Sequence, residues 1–260
     1  MTSPDALVRV TTAAGVTTLT LDSPHNRNAL STRLMTELVE ALAAAVTDDA
    51  VRVVVLSHTG PVFCSGADLK ESAQAYATGT LPAGMLGDVL AAIRECPKPV
   101  VARVAGPARA GGLGLIAAAD LAVCAEEATF AFTEVRIGVI PAVISATVLP
   151  LLTPRAAAEL YLTGEKFDAV TAQEIGLITT AVTDAGALDD IVAGWCADLR
   201  KGSPQGLAAS KALTTTDTLR GFDRDASRLV EESAALFASD EARAGMTAFL
   251  TKQPPPWVAT

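Results

Sequence analysis

Aromatic residues, histidine, cysteine and positive charge are all scarce in this chain. Phe, Trp and Tyr make up 4% of its residues, so the core has to be built from Ala, Val, Leu and Ile. Its two histidines and four cysteines (Cys64, Cys96, Cys124 and Cys196) are widely separated, with no C-x-x-C pair and no Cys/His cluster. A zinc site of the usual spacing is therefore excluded. The cysteines read as small buried apolar residues of a reducing compartment. Lys and Arg number 20 against 29 Asp and Glu, a formal net charge of −9. Nucleic acid demands clustered cations against its phosphates, so no general affinity for it is expected. An anionic small molecule is not excluded, because a few local cations can serve one. The longest apolar stretch, Ile137 to Leu152, is broken by Pro141 and Pro150. A membrane helix needs about 20 unbroken apolar residues. Met1 to Val8 shows no basic stretch followed by an apolar one, so no secretory signal is read. The expectation is a soluble cytoplasmic protein without a membrane partner.

Apolar side chains, in contrast, are abundant: half of the 260 residues are hydrophobic. That fraction predicts either much buried helix or an apolar surface that meets another subunit. Two short β-like runs flank Ala13-Ala14-Gly15 and predict a hairpin. Ser31 is placed to cap an amphipathic helix reaching about Val46. Val51 to Ser57, Val100 to Val104 and Leu121 to Ala125 are apolar runs of the kind found in strands buried on both faces. Helix-like stretches lie between them. Glu71 to Thr80 reads as a polar, mobile segment, and helices dominate from Pro154 onward. The alternation predicts an α/β layer fold with parallel pairing and a helical end.

Two glycine-rich corners carry the functional signal. Cys64-Ser65-Gly66-Ala67-Asp68-Leu69-Lys70-Glu71 and Ala110-Gly111-Gly112-Leu113-Gly114-Leu115 each follow a β-like run and lead into a helix-like run. Glycine lets the backbone approach a ligand closely. A helix start leaves N–H groups without internal partners. Two such corners can aim two donors at one oxygen, which is what an oxyanion hole requires.

The first corner, from Phe63, resembles the first signature of the crotonase superfamily, the enoyl-CoA hydratases and isomerases. Gly106 through Asp120 is similar to the second signature, and Phe130 to Pro141 to the third. Leu162 to Glu165 and Ala172 to Ile178 match further family segments, so the likeness runs in order over nearly the whole chain. The resemblance implies a spiral of β-β-α units over residues 1–195, holding an acyl-CoA site. It implies a helical oligomerisation region over 196–260, and a homotrimer or dimer of trimers. It calls for no cofactor, because coenzyme A is part of the substrate thioester.

By the same resemblance, the backbone N–H groups of Ala67 and Gly111 hold the thioester oxygen. Arg27, Ala29, Asp68, Leu69 and Lys70 are placed along the CoA body, and Arg109 near a distal substrate group. Glu134 is the proton-transfer residue. It follows an alternating apolar strand in a stretch with little other charge, where a desolvated carboxyl would have a raised pKa. The alternative for Glu134 is a structural pair with Arg136 or Arg109.

One departure from the family pattern matters. A typical hydratase carries a second glutamate where this chain has Gly114. The resemblance is nearest to hydratases that share this glycine, such as methylglutaconyl-CoA hydratases, and implies addition of water to a 2-enoyl-CoA. A Δ3,Δ2-enoyl-CoA isomerase, which needs only one carboxylate, is the alternative. A hydrolase reading ranks lower, because Ala142 stands where those enzymes keep an acid. A non-catalytic acyl-CoA binder is the alternative from another class.

Overall fold

Ala14 and Gly15, both at positive φ (49° and 77°), turn the chain between β1 (Val8–Ala13) and β2 (Val16–Leu21). Ala13 pairs with Val16 across this two-residue loop. Positive φ at both central residues gives a turn twist that matches the strands. The computed structural model describes residues 5–72 and 83–258. Most of the segment read as mobile therefore lies outside the described residues.

Helix α1 (Thr32–Thr47) starts where Ser31 Oγ accepts from Leu34 N–H. Its apolar stripe of Leu34, Met35, Leu38, Leu42 and Ala45 is buried. Strand β3 (Val53–His58) is buried at every position. It lies parallel to β2 and to β4 (Val100–Val104), with α2 (Ala83–Glu95) between them in sequence. Next come β5 (Ala108–Arg109), α3 (Gly111–Ala118), β6 (Leu121–Ala125) and β7 (Thr129–Ala131). A 3-10 turn over Glu134–Ile137 leads to α4 (Ala142–Val148) and α5 (Pro154–Thr163). Strand β8 (Phe167–Asp168), α6 (Ala169–Glu174) and β9 (Thr180–Val182) follow. The chain closes with α7 (Ala185–Leu199), α8 (Pro204–Phe237) and α9 (Asp240–Thr251).

The main sheet has the order β1-β2-β3-β4-β6-β9 and is parallel beyond the hairpin. A smaller sheet, β5-β7-β8, stands beside it. Successive units step between the two sheets, which is the α/β spiral that the family resemblance implied. Helix α8 packs on α2 and α4. Lys211 anchors it there: its buried Nζ sits 2.8 Å from Asp120 Oδ2 and donates to Ile93 O and Lys98 O. Among the described residues, no helix is long and apolar enough to cross a membrane.

Candidate active site

The two glycine corners meet. Gly66 adopts φ +88°, and a Cβ built there would fall 2.8 Å from Ala110 Cβ and 3.5 Å from Gly111 N. No side chain fits between the corners, so glycine is needed for both its conformation and its size. Leu30 forms a parallel bridge with Ala67. In it, Leu30 N–H donates to Gly66 O (2.8 Å) and Leu30 O accepts from Asp68 N–H (3.4 Å). A parallel bridge of this kind uses the groups on either side of Ala67. Ala67 N–H is therefore turned away from Leu30.

Gly111 N–H is aimed by a different device. Ala110, immediately before α3, takes φ 49° and ψ −122°, a combination that costs a residue with a Cβ about 1–3 kcal/mol. Its own N–H is tied to Ala131 O at 3.2 Å. The peptide after it is flipped, and Gly111 N–H stands at the head of the helix. Ala67 and Gly111 both line one cavity of about 1080 Å³.

Glu134 lines the same cavity, on the 3-10 turn after β7. Only 8% of it is exposed, and its Oε2 is fully buried, without a hydrogen-bond partner among the described residues. Burial pushes its pKa from 4.5 up to about 7. The alternative pairings are not made. Arg136 bonds Glu165 at 2.6 Å and Thr163 O. Arg109 donates to Ala108 O, Thr129 O and Thr129 Oγ1.

Arg109 still borders the cavity, although these bonds hold its guanidinium along β5 and β7. Arg27, Ala29, Asp68, Leu69 and Lys70 are brought together at the cavity wall. Asp68 also serves the fold: Oδ1 accepts from the N–H groups of Lys70 and Glu71, and Oδ2 from Asn26 Nδ2. Arg27 and Asn28 take left-handed conformations (φ 60° and 52°).

Sequence reasoning passed over Asn28. Its side chain accepts from Ser23 N–H and donates to Thr59 O and Val62 O, which fixes the loop that presents Arg27 and Ala29. An Asn in a turn-rich run was the available signal. His58 does similar work. Its Nε2 accepts from Ala105 N–H at 3.1 Å, and burial lowers its pKa, so the ring is a neutral brace. Ser233 and Phe237 of α8 and Trp257 of the tail also line the cavity, within the region read as serving oligomerisation.

One cavity thus holds the two glycine corners together with one desolvated carboxyl, a set of polar groups suited to moving a proton beside a polarised carbonyl. A family model described as enoyl-CoA hydratase/isomerase matches residues 11–260. The chain belongs to that enzyme family. It is 31% identical to enoyl-CoA hydratase ACTT6 of Alternaria alternata over 236 residues, 91% of this chain and 78% of that one. A solved enoyl-CoA hydratase from Mycobacterium avium is 54% identical, with a TM-score of 0.89 over 98% of this chain and 100% of that one. Another from Mycobacterium smegmatis is 32% identical, with a TM-score of 0.75 over 96% and 98%.

Proposed function

We propose that the protein adds water to a 2-enoyl-CoA thioester, with Glu134 as its one acid/base group. The observation that carries this reading is the buried Glu134 carboxyl, its Oε2 without a hydrogen-bond partner among the described residues, in one cavity with the Ala67 and Gly111 corners. The ionised carboxylate takes a proton from water as the water oxygen bonds to C3. The C2–C3 π electrons move toward the thioester, and the enolate oxygen receives the Ala67 and Gly111 N–H groups. Glu134 then returns the proton to C2. A pKa near 7 suits a group that must first accept and then donate. Each donor fixed in advance contributes about 3 kcal/mol to the enolate-like transition state. The names of the similar hydratases support the choice. Arg27 and Lys70 supply positive charge for the CoA body.

A second reading is favoured by Gly114. With no second carboxylate there, Glu134 alone can remove a C2 proton from a 3-enoyl-CoA and return it at C4. Paired assays test the two readings. Hydration predicts loss of enoyl absorbance with crotonyl-CoA or 3-methylglutaconyl-CoA. Migration of a 3-enoyl double bond without hydration would replace the first reading with the second. Tight thioester binding with neither reaction would leave a non-catalytic binder.

A further inference from the structure

Gly114 and Ile144 meet so closely that one dictates the other. A Cβ built on Gly114 falls 2.5 Å from Ile144 Cγ2 and 3.0 Å from Ile144 Cβ. The obstacle is the branched root of the side chain, which rotates least freely. Thr147 Oγ1 donates to Gly114 O at 3.4 Å and helps hold α4 against α3. No side chain fits at position 114 while Ile144 keeps its place.

Ile144 is 2% exposed, and it lines the cavity shared by Gly111 and Glu134. Gly114 lies one helical turn after Gly111, so Ile144 packs on the helix face close to that donor. Leu30 and Leu86 continue the wall, since a Cβ on Gly111 would fall 2.7 Å from Leu30 Cδ1 and 3.4 Å from Leu86 Cδ2. A resident water needs two to four polar partners, and this hydrocarbon wall supplies none.

We propose that Ile144 is a specificity-determining residue: its side chain keeps water off the wall beside the oxyanion donors and thereby sets the ratio of water addition to double-bond migration. The inference rests on the reading of the site given above. Ile144 and Glu134 line the same cavity, so a water held at position 144 would share the pocket with the Glu134 carboxyl. An enolate formed against the apolar Ile144 wall meets no water there and collapses by proton return.

Ile144→Thr keeps the branched shape and adds a hydroxyl that can hold a water, and Ile144→Val is the apolar control. Hydration relative to migration should rise about tenfold in Ile144→Thr and stay within about twofold in Ile144→Val. An unchanged ratio in folded Ile144→Thr overturns the proposal. A second readout needs no turnover: NMR titration of the Glu134 carboxyl in the free protein. Water admitted by Ile144→Thr should stabilise the carboxylate and lower this pKa by about one unit, with no change in Ile144→Val. If wild-type protein turns over no enoyl-CoA yet the titration shifts, the functional reading fails and water exclusion by Ile144 stands. If the titration does not move, the proposal fails whatever the activity.

Discussion

Leu30 and Ala67 form a parallel bridge in which both of the Leu30 main-chain groups are bonded, to Gly66 O and Asp68 N–H. Leu30 thus fixes the direction of Ala67 N–H. Gly111 N–H is oriented by the strained Ala110. In the proposed reading a thioester oxygen would be held by these two groups without rearrangement.

That preorganisation can be measured without turnover. A bound 3-ketoacyl-CoA should ionise to its enolate more easily than in water, by about 4 units, because two N–H donors at about 3 kcal/mol each stabilise the enolate oxygen. The enolate absorbs in the near ultraviolet, so a pH titration of the complex reads the effect directly. An acidity equal to that of the free thioester would mean that the donors do not reach the oxygen.

Glu134→Gln should lower kcat by about 10²–10⁴-fold while CoA-thioester binding changes little. The same variant carries a stability signature. A carboxyl whose pKa rises from 4.5 to about 7 on folding is fully stabilising, relative to its charged form, below pH 4.5. That contribution is lost as the pH rises through 7, where the buried group must ionise. Over this window the wild type should lose about 3 kcal/mol that Glu134→Gln retains. Urea denaturation at pH 5 and pH 8 checks the difference. Parallel curves for the two proteins would remove the case for a desolvated Glu134.

Ala110→Gly should stabilise the fold by up to about 1 kcal/mol. Relief of the strain at φ 49° and ψ −122° outweighs the extra freedom of glycine in the unfolded chain. Thermal denaturation reads this gain. A net loss would show that Ala110 Cβ packing against Gly66 is worth more than the strain.

Lys211→Ala should destabilise by about 3 kcal/mol, because it removes the ion-pair partner of the Asp120 carboxylate, which keeps only Val100 N–H as a direct donor among the described residues, and leaves two carbonyls without the Lys211 ammonium. Helix α8 carries Ser233 and Phe237 to the cavity, so the Michaelis constant for an acyl-CoA should rise as well. Urea midpoints and steady-state kinetics separate the two effects. Unchanged stability would mean that Lys211 does not anchor the helix.

The sequence by itself determined the local elements. Ser31 marked the start of α1, Ala13-Ala14-Gly15 marked the hairpin, and the apolar runs around β3, β4 and β6 fell within a few residues of the strands. Capping, turn chemistry and periodicity are short-range, so they are legible in a single chain. The burial of Glu134 was legible for a similar reason: a lone acid after an apolar strand is desolvated where its neighbours in sequence supply no paired charge, and Arg136 pairs with Glu165 instead. Tertiary structure alone decided the direction of Ala67 N–H, because that depends on which face of the corner Leu30 covers. It alone bound Arg109 to Thr129, 20 residues away. It alone set Ile144 against Gly114, through the packing of α4 on α3. These are contacts between segments distant in sequence, fixed by how helices and sheets pack rather than by any local pattern of residues.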